Sequence, residues 1–456
     1  MTRNKKKATV FMTAIATGTL LNPLNSSMIA LALHSIQDDY QLSFAMVSWL
    51  ISGFYLVSAV GQPIAGKMGD LIGRKNLFLT GLVIAACASL AAPIALAFAF
   101  LLIFRLLQAA GSSAVYPSGV SLVHDYIAHE KQGTALAVLA ISASVMTAFG
   151  PTVGGFLIVW GGWPSIFYVN LPFICISFIL GCLVIPRDVK EEKLRIRTLL
   201  ARLDLIGIAL FSFGIVSLLW FLLELEHAPH FFALIVSVIC FTALACFEWH
   251  CKRPFIDVVL LKENHRLSVV YLLFILMNLV NYCLFYGMPN YFQSGLRLSV
   301  RTSGAMMLFM SAASVVVSLL CGRWIERKGT EMPIKVSAAL TAAGAVFLLF
   351  AAESGLWFIG TVLVLFGIGY GICNVALQAA MLDAAQAKAV GISSGLFQTC
   401  RFIGSIGSTA ILGLIFGSSV TQAHLSELAW FLIVISVFAL LISVCFFRRK
   451  RQSDFN

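Results

Sequence analysis

An all-α polytopic membrane protein of fourteen transmembrane helices is the fold class this sequence predicts, on three observations. Apolar runs of about twenty residues recur fourteen times in 456 residues, and about twenty helical residues are what a bilayer core some 30 Å thick requires. Lys and Arg fall almost entirely in every second gap between those runs, the distribution that keeps positive loops on the cytoplasmic side. The composition is 60% hydrophobic and 11% charged with a mean hydropathy of +0.94, more apolar surface than one soluble core can hide.

The spans are predicted near 9–31, 44–66, 77–96, 98–121, 133–159, 165–185, 204–224, 230–249, 267–290, 302–322, 334–352, 356–378, 391–416 and 426–446. Of 31 Lys and Arg, all but four lie at the N-terminus, in or beside the gaps after spans 2, 4, 6, 8, 10 and 12, or in the tail 448–451. The four are Arg297 and Arg301, in an odd gap, and Arg105 and Arg401, inside spans. Both termini are therefore expected in the cytoplasm, with the protein a monomer in the cell membrane. The net charge of +11 then reads as topology and contact with anionic headgroups, not as nucleic-acid binding. Cys87, Cys175, Cys240, Cys283 and Cys373 sit inside apolar spans and none of the eleven cysteines has CxxC spacing, so they read as packing residues. Neither a metal nor a cofactor is expected. The basic residues 1–7 lead into a run of full helix length with more spans behind it, which does not fit a cleavable signal.

Charge divides the spans into sets. A charged stretch at 187–203 is expected to be a cytoplasmic linker after a first six-helix bundle, residues 1–186. Residues 204–250 would form an inserted helix pair, and 251–456 a second six-helix bundle with a basic tail. Repeated bundles of this kind place a substrate near mid-membrane between them and work by alternating access. An internal echo supports the repeat. Gly66-Lys-Met-Gly-Asp70-Leu-Ile-Gly73-Arg74-Lys75 follows span 2, and Gly322-Arg-Trp-Ile-Glu326-Arg-Lys-Gly329 follows span 10. In both, an acid stands four residues after a Gly and a second Gly three further on. The acid can accept N–H groups at a neighbouring helix N-terminus and pair with the cation after it, a latch that one domain arrangement makes and another breaks. A simple basic turn obeying the topology rule is the alternative.

Polar residues inside the spans mark the remaining candidates. Arg105 lies about 10 Å into span 4, with Gln108 one turn away. An intramembrane Arg costs at least about 2.5 kcal/mol, so it must meet a polar cavity or a partner, or snorkel outward. In span 5, Gly150-Pro151-Thr-Val-Gly154 has the spacing that lets helix backbones approach, and its Pro removes a hydrogen bond. Asn278, Asn281, Tyr282 and Tyr286 share one side of span 9, Asn374 and Gln378 a face of span 12, and Gln398 and Arg401 lie together in span 13. Asn22 and Asn25 in span 1 complete the set. For the amides, hydrogen bonding between helices is the plain alternative.

These segments together resemble the major facilitator superfamily, and within it the fourteen-span drug–proton antiporter group. The 66–75 segment is similar to the family's loop motif, with Leu71 where a basic residue is usual. Arg105-Leu-Leu-Gln108-Ala-Ala-Gly111 resembles its Arg-x-x-Gln-Gly motif, with Ala109 for the first Gly. Gly150-Pro151-Thr-Val-Gly154-Gly155 resembles the antiporter motif, with Met146 where Gly usually begins it. Trp163, Phe167, Asn170, Pro172, Asp204, Gly207 and Tyr291-Phe-Gln293 extend the match. In span 1, Asn25 stands where the family has Asp and His34 where it has Pro, so the usual acid of span 1 is missing. The resemblance implies that Arg105 takes part in proton coupling.

None of the 20 Asp and Glu lies well inside a span of either six-helix set, so Arg105 and Arg401 are expected to leave the cavity positive and hostile to lipophilic cations. The expected function is proton-coupled efflux of small amphipathic organic compounds. Asp70, Arg74, Arg105, Gln108, Gly150, Pro151 and Gly154 would couple and gate, and the embedded amides, tyrosines and Arg401 would meet substrate. A facilitator or importer of an anionic metabolite is the alternative in transport, and a membrane sensor or receptor the alternative outside it. No nucleophile–base constellation and no phosphate-binding loop of the Gly-x-x-x-x-Gly-Lys type is present, which argues against an enzyme and against ATP as energy source.

Overall fold

The computed structural model describes residues 2–42, 44–187, 203–223, 230–251, 254–298, 300–351, 355–386, 389–416 and 420–448, and these are helical with short connections. Most of the linker 187–203 and Glu224 lie outside the described residues. The first set comprises α1 (Thr2–Thr19), α2 (Leu21–Tyr40), α3 (Phe44–Ile72), α4 (Arg74–Ala91), α5 (Phe98–Tyr126), α6 (His129–Gly161), the single turn α7 (Ser165–Tyr168) and α8 (Asn170–Val184). Helices α9 (Leu205–Leu223) and α10 (Phe231–His250) form a hairpin. The second set comprises the short α11 (Val258–Glu263), α12 (His265–Asn290), α13 (Val300–Lys328), α14 (Glu331–Ala351), α15 (Leu356–Ala384), α16 (Val390–Phe416) and α17 (Gln422–Arg448).

Eleven helices among the described residues are long and apolar enough to cross a membrane. Three further predicted spans fall on helices outside that eleven: 44–66 on α3, 133–159 on α6 and 9–31 across α1 and α2. The last is broken at Leu20 for a local reason. Pro23 has no N–H to give the Thr19 carbonyl, so one rung of the helix ladder is lost where α1 meets α2.

The two sets meet along two pairs of helices, α3 with α16 and α6 with α13. Helix α9 lies against the first of these seams, with α10 behind it. Phe211, Ile215 and Leu219 of α9 pack with Ala59 of α3 and with Ile392, Phe402 and Ile406 of α16. Outside the bundle, Phe156, Phe213, Val316 and Leu320 remain exposed, the apolar surface that lipid covers in a spanning protein.

Candidate functional site

At the end of the bundle where α3 turns into α4, glycine lets backbones touch. Helix α3 runs through Gly66 to Ile72, so Gly66 is a point of close approach, and the reversal falls at Gly73, with φ of 103°. The matching reversal in the second set is at Gly329, φ 73°. A Cβ on Gly391 would stand 2.5 Å from the Gly66 carbonyl oxygen, and one on Gly395 would stand 2.5 Å from the Pro63 Cα. One turn further, Thr399 Oγ1 donates to the Ala59 carbonyl at 2.7 Å. The other seam has its own pair: a Cβ on Gly133 would meet the Gly322 oxygen at 2.8 Å, and a Cβ on Gly322 the Gly133 oxygen at 2.8 Å. Side chains of any size would hold these helices apart.

The acids of the two echoed segments bond main-chain N–H groups near the starts of the helices opposite. Asp70, with a side chain 7% exposed, accepts from Gly391 N and Ile392 N, both at 3.3 Å, at the start of α16, and from Arg74 Nη2 at 3.1 Å. Glu326 Oε1 accepts from Thr134 N at 3.1 Å, in the first turns of α6. Asp70 meets orphan N–H groups at the positive end of a helix, whereas Glu326 meets a single N–H from the second turn of α6. Arg74 also pairs with Asp125 at 2.5 Å and donates to the Ser121 carbonyl at 3.2 Å, tying α3, α4 and α5 together. Asp70 lies beyond the apolar span 44–66. Burial pushes its carboxyl from 3.8 up to about 6, against the opposing pull of Arg74 and of the two N–H groups.

Arg105 faces the packed interior of the first set and not a cavity. It is 1% exposed, donating to the Leu50 carbonyl at 3.3 Å, the Asn25 carbonyl at 2.9 Å and Gln108 Oε1 at 2.6 Å. Its guanidinium also lies 4.3 Å from the Phe54 ring centre. Gln108 passes the chain on to Ser89 Oγ at 2.8 Å, and Asn170 Nδ2 donates to Asn25 Oδ1 at 3.0 Å. One planar fork thus ties α2, α3 and α5, with α4 and α8 attached through amides. Arg105→Lys keeps the charge but has no fork to reach three acceptors. It is expected to cost about 2–3 kcal/mol, from hydrogen bonds to a charged group worth about 1.5–3 kcal/mol each. A lowered midpoint of thermal unfolding in detergent, followed by tryptophan fluorescence, checks this.

Gly150 and Gly154 also act within the first set. A Cβ on Gly150 would stand 2.7 Å from Ser27 Cβ, and one on Gly154 3.2 Å from Met28 Cγ, so α6 lies tight against α2. Ser27 Oγ donates to the Met146 carbonyl at 3.3 Å across the same contact. The Pro151 side chain lies outside the described residues.

The cavity itself lies between the sets. Asn281 and Tyr282 of α12, Asn374 of α15 and Arg401 of α16 all line it. Tyr286 stands behind, stacked on Tyr282 with ring centres 5.5 Å apart and within 3.3 Å of Ser405 Oγ. Asn278 turns away, its Nδ2 donating to the Phe274 carbonyl at 2.8 Å and its Cβ facing Gly404. Gln378 Nε2 donates to Tyr116 Oη at 2.7 Å, a bond between the two sets. Gln398 is buried on α16, and Asn22 and Asn25 are buried in the first set away from the cavity lining. Only Arg401 of the two embedded arginines therefore charges the cavity. Phe285, Ser311, Ser314 and Tyr370 were not singled out from the sequence, yet they line it. Tyr370 had a usable signal, since it precedes Asn374 by one helical turn on the same face.

The family model of the Major Facilitator Superfamily matches residues 15–409. The chain is 54% identical over 444 residues to the MFS-type transporter YwoD of Bacillus subtilis (strain 168), covering 97% of this chain and 98% of the relative. It is 28% identical to the tetracenomycin C resistance and export protein of Streptomyces glaucescens, over 89% of this chain and 76% of the relative. Among solved structures it is similar to the proton:xylose symporter XylE, with a TM-score of 0.71 at 12% identity over 97% of this chain and 96% of that one. With that family match over most of its length, this multi-pass helical chain belongs to the Major Facilitator Superfamily and is a membrane transporter of small molecules, not an enzyme.

Proposed function

We propose that the protein exports small amphipathic organic compounds across the cell membrane in exchange for protons, by rocking α1–α8 against α11–α17. The observation that carries this reading is a cavity between two helix sets that holds an embedded arginine, with the sets joined at one end by paired glycine contacts and by carboxylate bonds from Asp70 and Glu326. Asp70 and Arg74 are its gate. Arg105 with Gln108 holds the first set rigid around the break in span 1, and Gly150 and Gly154, on either side of Pro151 in sequence, seal α6 on α2. The closed end carries the lysines and arginines of the even gaps, so with fourteen spans and cytoplasmic termini the arrangement is outward-facing. The similarity to a tetracenomycin C resistance and export protein supports export of an organic compound.

Inverted vesicles with an imposed pH gradient test this directly. Gradient-dependent uptake of an organic compound is expected; uptake that ignores the gradient sinks proton coupling. Import of an anionic metabolite is the second reading, favoured by the Arg401 charge, and it would show flux in the opposite direction. Topology has its own check. Reporter fusions after Arg197 and after Lys450 are both expected to report cytoplasm. A twelve-span chain would instead leave 204–249 outside the bilayer, with Cys240 open to a water-soluble thiol reagent.

A further inference from the structure

The cavity is unevenly built. Ala143 of α6 is the sole described residue the first set contributes to its lining; the rest comes from α12, α13, α15 and α16. Whatever enters the space is therefore held by the second set.

Three features of that wall specify a ligand. First, Arg401 is embedded and no described carboxylate lies within ion-pair distance of it. Its guanidinium makes no hydrogen bond to a described group; its near neighbours are phenols and the Phe402 ring, 5.6 Å away. A planar fork of donors with nothing to grip matches the two oxygens of a carboxylate. Second, Asn281 is 7% exposed and Ser314 4% exposed, both line the cavity, and Asn281 Oδ1 and Ser314 Oγ are buried without a partner. A buried amide oxygen calls for a donor. Third, Tyr282, Phe285 and Tyr370 supply flat walls, which favour a ring offset-stacked or edge-on.

We propose that this cavity binds an aromatic organic anion: a carboxylate on a planar ring system that also carries a hydrogen-bond donor. Arg401 takes the carboxylate, Asn281 Oδ1 accepts from the donor, and the aromatic walls take the ring. The inference rests on the cavity being the cargo site of the transport reading and adds the chemical class of the cargo. A permanently cationic ring would face Arg401 with no acid to offset it.

The test uses the purified full chain and three probes of one shape: 6-hydroxy-2-naphthoate, the corresponding 2-naphthamide, and the corresponding 2-naphthylmethylammonium, with affinities from equilibrium dialysis. The carboxylate is expected to bind at least about tenfold tighter than the amide, a difference of about 1.4 kcal/mol, and the cation more weakly than either. Arg401→Gln is expected to bring carboxylate and amide within about twofold of each other, chiefly by weakening the carboxylate. Should that variant fail to purify, Arg401→Lys keeps the charge but loses the fork, and is expected to weaken the carboxylate at least about threefold. Asn281→Leu should weaken 6-hydroxy-2-naphthoate and spare 2-naphthoate. Equal binding of the three probes, tightest binding of the cation, or a carboxylate preference that survives Arg401→Gln overturns the proposal. The two readings fail separately. Gradient-driven export of compounds with no carboxylate preference removes this inference and leaves export standing; carboxylate-selective binding without gradient-dependent flux does the reverse.

Discussion

Gly395→Leu is expected to lower transport about tenfold or more while leaving the amount of protein in the membrane unchanged. A side chain there runs into Pro63 Cα across the α3–α16 seam. Overpacking of this kind costs about 1–3 kcal/mol, and here the cost falls on one conformation only, the one in which the seam is closed. A shift of that size moves an equilibrium about tenfold to a hundredfold. Vesicle flux reads the loss. A cysteine in place of Ser58, fully buried one turn before Gln62 on α3, reads the cause: it should resist a thiol reagent in the parent and react in the Gly395→Leu background. Unchanged flux would show that the seam does not open and close during the cycle.

Asp70→Asn is expected to have an effect of similar size. The carboxylate accepts from two α16 N–H groups and from Arg74. An amide keeps one oxygen but no charge, reducing bonds worth about 1.5–3 kcal/mol each to neutral ones of about 0.5–1.5. Relief from burying a charge outweighs that loss, the balance that lifts the carboxyl to about 6, so the change should shift the closed-to-open ratio toward closed, seen as lower flux with the Ser58 cysteine still protected. The pH dependence has a definite sign. In the closed arrangement the Asp70 carboxyl stands at about 6, whereas a solvent-exposed Asp titrates near 3.9. The closed form thus binds a proton more readily, and lowering pH from 7 toward 5 is expected to favour closure. In Asp70→Asn that dependence should be absent. A closed fraction that falls on acidification would mean that the carboxylate's bonds outweigh its burial.

Much of this was legible because bilayer physics writes in long letters. Helix positions follow from apolar runs, and the α3 and α13 segments announced themselves as a repeated pattern with an acid at a fixed offset from Gly. Arg401 stood out as a charge inside a span. Arg105 could not be told apart from it by the same argument, because depth gives cost but not direction. What satisfies Arg105 is mostly main-chain oxygen, from Asn25 and Leu50, and carbonyl groups carry no sequence signature. The glycine seams were hidden for a related reason. Gly391 and Gly395 have the small-residue spacing, but the partners that make it matter, Gly66 and Pro63, lie over 300 positions away. Ser311 and Ser314 escaped notice because a serine inside a membrane helix often bonds its own backbone, as Ser318 does to Ser314 O at 2.7 Å.

The hairpin of α9 and α10 leaves the molecule with two unlike flanks. Along α3 and α16 the junction between the sets is roofed by Phe211, Ile215 and Leu219, whereas the α6–α13 junction has no described helix of the hairpin against it. Acyl chains therefore press on one junction directly and reach the other only through two intervening helices. The roof is hydrocarbon resting on hydrocarbon, tied at one end where Lys67 Nζ donates to the Pro254 carbonyl at 2.8 Å, so it can pivot about that end as the sets rotate. Changes in bilayer thickness or lipid packing act on such a body off-centre, as a torque about the roofed edge and not as an even squeeze.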